Sequence, residues 1–327
     1  MKRRRIILNP LLIVLDDWEG RIAESACWKS LDNVEIIFAK TKASEIEPQL
    51  REKVEYIMAI RERSKIDAGF LSLFPRLRLI LQTGGHAYHI DQSETEKRNV
   101  VVALGRRATA PLASVPELTI ALMLDAFHRV SEGDRMIRDG KWQGLMGRSL
   151  AGKRLGILGL GRHGSRVAEI AMNAFKMEVV SWNRSPEGKT ITGVSRLSLE
   201  QLLSTSDVVS IHLRLSAESK NLLNFDRLSL MKVGSVLVNT ARGAIVDEIA
   251  LEKCLQAGKP AVAALDVFAE EPLPSNSKLR AFPNIVMTPH IGWTVEEVFE
   301  EFAQIACVQL RQFMADSLPT IDVLRAR

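Results

Sequence analysis

Three short stretches of the chain hold side chains whose chemistry fits together. VNTARGAIVDE carries Arg242, ALDVFAEEPLP carries Asp266, Glu270 and Glu271, and MTPHIGW carries His290. An arginine fork binds the carboxylate of a 2-oxo acid and polarises the adjoining carbonyl. A histidine gives and takes a proton near neutral pH. A carboxylate behind an imidazole fixes its tautomer. Singly, each has a plainer reading: Arg242 as a loop salt bridge, Glu271 as a solvated charge, His290 as a turn residue. Each stretch ends an apolar run, however, and the ends of parallel strands line one crevice, so the three can converge.

A second constellation lies upstream. KRLGILGLGRHG (153–164) reads as a buried strand entering a tight turn, with Gly159, Gly161 and Gly164 as G-x-G-x-x-G. The first glycine permits the turn, the second lets backbone approach a pyrophosphate, and the third lets helix and strand pack closely. The helical SRVAEIAMNAFKM follows, so its N-terminal amides face the phosphates. The strand EVVSW (178–182) comes next, completing the context of a dinucleotide site. An NAD reader usually ends this strand with Asp or Glu on the ribose 2′-hydroxyl. Here the end reads Trp182-Asn183-Arg184-Ser185. Arg184, helped by Asn183 and Ser185, suits a 2′-phosphate, which favours NADP(H) over NAD(H). The alternative is that Arg184 stacks on adenine or faces solvent.

These residues need a scaffold. Short apolar strands at 5–8, 34–38, 56–60, 76–83 and 100–104 alternate with helical stretches and predict a small flavodoxin-like α/β domain. Between them, the amphipathic stretch from Asp17 to Leu31 turns Ile22, Ala26 and Leu31 inward. Gly84-Gly85 ends the fourth strand, where two unhindered amides can hold a carboxylate; His86 and His89 share that loop. SVPE (114–117) predicts a capping box with Ser114 as N-cap, opening one long helix to Ile137. The arm 138–152 carries Trp142, Leu145 and Met146 without a period, which suits a subunit contact or, as simply, packing on its own domain. Strands at 154–159, 178–182, 207–213, 235–239, 261–267 and 284–288 predict a doubly wound sheet. An amphipathic helix over 294–315 ends the chain.

Composition sets outer limits. The 327 residues are 46% hydrophobic and 25% charged, with net charge +5. That suits a soluble globular protein of two domains with anionic ligands. No basic block signals nucleic acid, no apolar run reaches the roughly 18 residues of a membrane span, and no signal peptide opens the chain. Cys27, Cys254 and Cys307 form no metal or disulfide pattern in sequence, which points to a reducing cytoplasm.

Taken together, LAGKRLGILGLGRHGSRVAE, MKVGSVLVNTARGAIVDE, ALDVFAEEPLP and TPHIGW resemble the signatures of the D-isomer-specific 2-hydroxyacid dehydrogenases, most strongly from Ser114 to Trp293. That family includes D-lactate, glycerate, hydroxypyruvate/glyoxylate and phosphoglycerate dehydrogenases. The resemblance implies a substrate domain of about 1–107 completed by 294–327, a dinucleotide (Rossmann) domain of about 108–293, a cleft between them and a homodimer. It implies that Arg242 binds the substrate carboxylate and carbonyl, that His290 is the general acid/base, and that Glu271, before Pro272, pairs with His290. Arg162 and His163 offer amides to the pyrophosphate, and Asn183 stands at the ribose position. Thr240 and Ala241 line the nicotinamide, Asp266 holds its carboxamide, and His212 lies near the cofactor. Gly84 and Gly85 meet the substrate carboxylate.

Some positions depart from the pattern. Arg214 replaces a common Pro, which fits a second basic group toward NADP(H). Trp293 replaces Gly or another aromatic and predicts a narrower entrance. QTGGHAYHID lacks a usual Asp, which bears on the substrate. Glu271 argues against the formate-oxidising type, which has Gln there. Phosphite oxidation and a nucleotide-sensing scaffold resembling the family's corepressors stay compatible with the motifs. With the chain ending at Arg327, no appended regulatory domain is expected.

Overall fold

The computed structural model describes residues 9–142, 144–185 and 190–324. The strand expected at 5–8 lies outside them. The chain forms two compact units, one running to Ala110 and resuming at Glu296, the other spanning Pro111–Val295.

The first unit holds β1 (Leu11–Leu15), β2 (Glu35–Ala39), β3 (Val54–Ala59), β4 (Leu79–Gln82) and β5 (Val101–Leu104). They pair in parallel in the order β2-β1-β3-β4-β5, the flavodoxin-like layout. All five residues of β1 are buried, as a strand covered on both faces requires. The connecting helices are brief. Those at Ala68–Ser72 and Gln92–Lys97 start under the side chains of Asp67 and Asp91, which accept the amides of Phe70 and Glu94.

Residues 17–31 turn Ile22 and Leu31 inward, but Ala26 faces solvent. Extended backbone at Ser25 separates a single turn, Arg21–Glu24, from a 3-10 turn, Ala26–Ser30, and resets the helical phase. Trp28 is buried instead, its indole N–H donating to the Ile22 carbonyl. The helix Glu296–Met314 returns to this unit with Val298, Phe302, Ala306 and Leu310 on one buried face. Gln309 donates from its amide to the Leu104 carbonyl, and the tail at 322–324 bonds to β5 through Leu104 and Val102. The open edge of β5 is thereby covered.

The second unit holds β6 (Arg154–Leu158), β7 (Glu178–Trp182), β8 (Val194–Arg196), β9 (Val208–Ile211), β10 (Val236–Asn239), β11 (Val262–Leu265) and β12 (Ile285–Met287). The all-parallel order is β12-β11-β10-β9-β6-β7-β8, a doubly wound sheet of the dinucleotide-binding type. The edge strand β8 is not among the expected strands. It is three residues long and largely exposed, so it leaves no apolar run to read.

Two local expectations are corrected. The helix expected to start at Ser114 starts at Pro111, so Ser114 is an interior residue with a buried hydroxyl rather than a cap, and Pro116 lies inside the helix. Proline suits a first helical position, which shifts the start upstream. The same helix ends at His128, because Arg129 adopts a left-handed φ of 58° and a separate helix, Val130–Arg138, begins. Asp125 holds the break by accepting from the Ser131 amide at 2.7 Å.

The glycines of the turn after β6 differ in what surrounds them. A Cβ on Gly164 would stand 2.2 Å from the Gly159 carbonyl oxygen, whereas one on Gly161 would meet nothing within 4 Å. Gly164→Ala is expected to lower stability by about 1–3 kcal/mol through overpacking. Gly161→Ala is expected to stay within roughly 0.5 kcal/mol of the parent. Urea midpoints of the two variants check this, and equal losses would contradict it.

Candidate active site

The turn after β6 has the geometry a pyrophosphate needs. Gly159 takes φ 100°, and its missing side chain admits the His212 carbonyl, which a Cβ would meet at 2.8 Å. Gly164 packs the helix Arg162–Phe175 onto the turn, and the space beside Gly161 is open. The N-terminal amides of that helix, those of Arg162 and His163 among them, face the turn as a ready anion site. Asn183, at the end of β7, braces it: its side-chain oxygen accepts from the Leu160 amide at 2.6 Å. A dinucleotide therefore fits this cradle by its backbone.

Beyond Asn183 the charges form a cluster. Arg184 donates from Nη1 to Glu218 Oε2 at 2.9 Å and to Ser216 Oγ at 3.1 Å. The Ser216 hydroxyl, the local backbone and Arg184 hold the Glu218 carboxyl below its usual range. Arg196 donates to the carbonyls of Asn183 and Ser185, fixing the backbone here. A carboxylate thus stands beside Arg184 after all, supplied from beyond β9 rather than from β7. Arg214 is exposed. His212 follows β9, with its Nε2 2.9 Å from Ser210 Oγ. Desolvation and the neighbouring His163 push its imidazole down to about 3, so it is neutral at physiological pH.

The three catalytic-type motifs follow β10, β11 and β12, which are neighbours in the sheet. After β10, Asn239 shapes the turn: its oxygen accepts from the Ala241 amide and its amide donates to the Arg242 carbonyl, both at 3.0 Å. Thr240 shares a hydrogen bond of 2.8 Å with Thr119. Arg242 is half-buried, with Nη1 donating to the Ala241 carbonyl at 2.6 Å. Gly243 lets this turn lie against the one after β11, because a Cβ there would stand 1.9 Å from the Phe268 carbonyl carbon.

After β11, Asp266 is buried and its side chain is committed. Oδ1 accepts from Thr288 Oγ1 at 2.6 Å and the Ile291 amide at 2.8 Å, and Oδ2 accepts from the Gly292 amide at 3.0 Å. The Asp266 carbonyl accepts from the His290 amide at 2.8 Å. Burial raises this carboxyl above its usual range, against the hydrogen bonds that favour its charged form. Glu271 bridges two turns: Oε1 accepts from the Phe268 amide at 2.9 Å and Oε2 meets His290 Nδ1 at 2.7 Å. His290 itself adopts φ 55°. With Nδ1 on the carboxylate, Nε2 is the nitrogen left for chemistry. Glu270 is exposed. Trp293 is buried.

The structure thus brings Arg242, Asp266, Glu271 and His290 to one end of one sheet. Asn239 and Gly243 were not read as site residues, although both stand in or beside the VNTARGAIVDE stretch. A buried asparagine ending a strand and a glycine after the arginine were the available signals. Gly84 and Gly85 belong to the first unit. Gly84, with φ 85°, leaves room for Arg61, whose Nη1 a Cβ would meet at 2.4 Å; Gly85 lies against the Arg106 stem. In the same loop His86 stacks on Tyr88, ring centroids 5.3 Å apart. Among the described residues no group of three or more His, Cys, Asp or Glu is placed to hold a metal ion. No helix among them is long and apolar enough to cross a membrane.

Known proteins share both sequence and fold with this chain. The NAD-binding domain of D-isomer specific 2-hydroxyacid dehydrogenases matches residues 120–292. A glyoxylate reductase of Aeropyrum pernix is 41% identical over 266 residues, covering 78% of each chain. A phosphoglycerate oxidoreductase of Vibrio cholerae superposes with TM-score 0.84 at 29% identity, over 93% of this chain and 99% of that one. A D-lactate dehydrogenase of Aquifex aeolicus, solved with NAD and lactic acid, superposes with TM-score 0.80 at 27% identity, over 97% and 99%. With its doubly wound sheet, its glycine cradle and these matches, the chain belongs to the D-isomer specific 2-hydroxyacid dehydrogenase family, a family of nicotinamide-dependent oxidoreductases.

Proposed function

We propose that the protein reduces a small 2-oxo acid to its D-2-hydroxy acid, and the reverse, with His290 as proton donor and acceptor. The observation that carries this is the 2.7 Å contact of His290 Nδ1 with Glu271, a carboxylate itself anchored on the Phe268 amide. A bound dihydronicotinamide supplies the hydride. His290 delivers its proton from Nε2 to the carbonyl oxygen, and Glu271 holds the ring through Nδ1. Arg242 orients the carboxylate and steadies the negative charge that develops on the oxygen. Glyoxylate, hydroxypyruvate and pyruvate are the default substrates, in line with the glyoxylate reductases among the relatives. Thr240 and Ala241 would line the nicotinamide, with His212 near it as a neutral ring. Asp266 reaches the carboxamide only with lone pairs not already used by Thr288, Ile291 and Gly292.

NADP(H) is the proposed preference. Support comes from a β7 end without Asp or Glu and from Arg184 beside Ser216. Glu218 opposes it, since its carboxylate would lie against a 2′-phosphate. The Arg184–Glu218 pair is largely exposed, so it is weak and open to exchange for a phosphate. A second copy of the chain is the proposed partner. Val130, Ile137, Trp142 and Met146 are exposed by more than half along 130–146, an apolar surface that a twofold contact would cover.

Oxidation of NADPH and NADH against glyoxylate, hydroxypyruvate and pyruvate tests the reaction. Cofactor binding without turnover of any of them, or of phosphite in reverse, would sink it and favour a scaffold. His290→Asn, chosen because asparagine tolerates positive φ, is expected to lower kcat about 10²–10⁴-fold while cofactor affinity holds. Glu271→Gln is expected to lower kcat by a smaller factor; full activity in either variant contradicts the roles given. Arg184→Ala should raise KM for NADPH about tenfold or more and leave that for NADH alone, whereas Glu218→Gln should lower KM for NADPH. Unchanged NADPH kinetics in both variants would remove the 2′-phosphate reading. Sedimentation should give a dimer for the parent, and a monomer for the Trp142→Asp, Met146→Asp double variant. A monomeric parent would refute the partner.

A further inference from the structure

Two of the three cysteines, 280 positions apart in sequence, meet in the first unit. Cys27 lies on the turn Ala26–Ser30 and Cys307 on the helix Glu296–Met314, and their sulfur atoms are 2.8 Å apart. A disulfide needs about 2.05 Å, so a shift of less than about an ångström in sulfur position closes the gap. The two thiols are unequal. Cys307 is buried, whereas Cys27 is partly exposed and within reach of a small solute. The hydrogen bond from Cys307 pushes the Cys27 thiol down to about 7, with help from Ser25 and Arg311 against burial and Glu300. The same contact and burial push Cys307 up, so it keeps the proton. Arg311 is fixed nearby through its 2.7 Å bond to Ser30. An accessible thiolate with a second thiol in contact is the arrangement of a reactive cysteine and its resolving partner.

We propose that Cys27 and Cys307 are an oxidation site for small hydroperoxides, which closes as an intramolecular disulfide. The Cys27 thiolate attacks one peroxide oxygen, the O–O bond breaks, and hydrogen peroxide leaves hydroxide, which takes a proton to become water. Cys27 is then a sulfenic acid. The Cys307 sulfur attacks the Cys27 sulfur, the S–O bond breaks, and the leaving hydroxide takes the Cys307 proton as a second water. Two thiols thus give up two electrons and two protons, and one peroxide becomes two waters. A thiol reductant reverses the step by exchange. Cys254 is a built-in control. It is buried, its thiol is pushed up by burial, and its sulfur lies 3.8 Å from Ser229 Oγ with no cysteine beside it.

The crosslink has a mechanical consequence. The first unit is assembled from both ends of the chain, with all of Pro111–Val295 between them. The helix Glu296–Met314 is held there by non-covalent packing alone. A Cys27–Cys307 bond ties it to the N-terminal segment and closes a loop that includes the whole second unit, so the unfolded chain loses the most freedom where the loop is longest.

The full-length protein, first reduced and freed of reductant, is treated with a small excess of hydrogen peroxide, freed of peroxide, and then unfolded in denaturant and alkylated. The expected result is a monomer mass lower by two hydrogens before alkylation, one alkylated cysteine instead of three, and a non-reducing peptide map joining the peptides of Cys27 and Cys307. The oxidised protein should unfold at a higher urea midpoint, and reductant should restore three thiols. Cys307→Ser should stop at a Cys27 sulfenic acid, trapped by a cyclic 1,3-dione, and Cys27→Ser should leave Cys307 alkylatable only after unfolding. Three alkylated cysteines after peroxide, a link to Cys254, or a crosslink only between chains would each overturn the proposal. The peptide map of the unsubstituted protein decides the matter even if a variant fails to fold.

Discussion

His290 stands opposite Glu271 because its backbone is held in a left-handed conformation, and Asp266 supplies that hold. Asp266 offers its carbonyl to the His290 amide and its carboxylate to Thr288, Ile291 and Gly292. Burial of this carboxylate works against the fold. Burial raises its carboxyl above the ordinary value, so the cost of the charged form is relieved as pH falls through the raised range. Three hydrogen bonds to the carboxylate offset that cost locally, and with the carbonyl bond to His290 they shape the turn that carries the imidazole. Were Asp266 replaced by an apolar residue, two amides and a hydroxyl would lose their acceptor at once. The position of the proposed proton donor is therefore inherited from a residue that is itself buried away from solvent.

Close backbone approach does the rest. Gly243 and Gly164 each occupy a place where a Cβ would fall within about 2.2 Å of a neighbouring carbonyl group. One lets the arginine turn rest on the turn that carries Glu271; the other seats the helix Arg162–Phe175 on the glycine loop. Neither glycine donates or accepts a proton in the proposed reaction. Their contribution is distance, and a methyl group at either would separate elements that carry the chemistry.

Much of this was legible in the sequence. The glycine spacing, the apolar runs before each motif and the order of the motifs sufficed to place Arg242, Glu271 and His290 on adjoining strand ends, because parallel strands buried on both faces leave long apolar signals. What escaped was of four kinds. The first strand of the first sheet runs through Leu11–Leu15, where the sequence reading puts it on the apolar run at 5–8. β8 is short, polar and at an edge, so no pattern marks it. The start of the helix at Pro111 and its break at Arg129 depend on local backbone choices that SVPE and a continuous apolar period obscured. The meeting of Cys27 with Cys307 depends on a helix that leaves the first unit's sequence and returns after the second, and no spacing rule reaches across such a gap.

Cofactor discrimination was the hardest feature to read, and the geometry shows why. The rule that a carboxylate at the end of the second strand marks NAD looks at one segment of chain. Here that segment ends in Asn183-Arg184-Ser185, and the nearby carboxylate, Glu218, comes 34 positions later from another strand's loop. Whether Arg184 greets a phosphate or stays with Glu218 depends on two exposed side chains in competition, with water and salt screening both. The turn after β12 behaves differently: Asp266 is buried and committed to Thr288, Ile291 and Gly292, so a change there is felt throughout the turn. A charge pair at the surface can be altered without disturbing the cradle of Gly159, Gly161 and Gly164. In the proposed reading, preference between the two nicotinamide cofactors is separable from the chemistry, because Arg184 and Glu218 touch neither Glu271 nor His290 in the contacts that hold them.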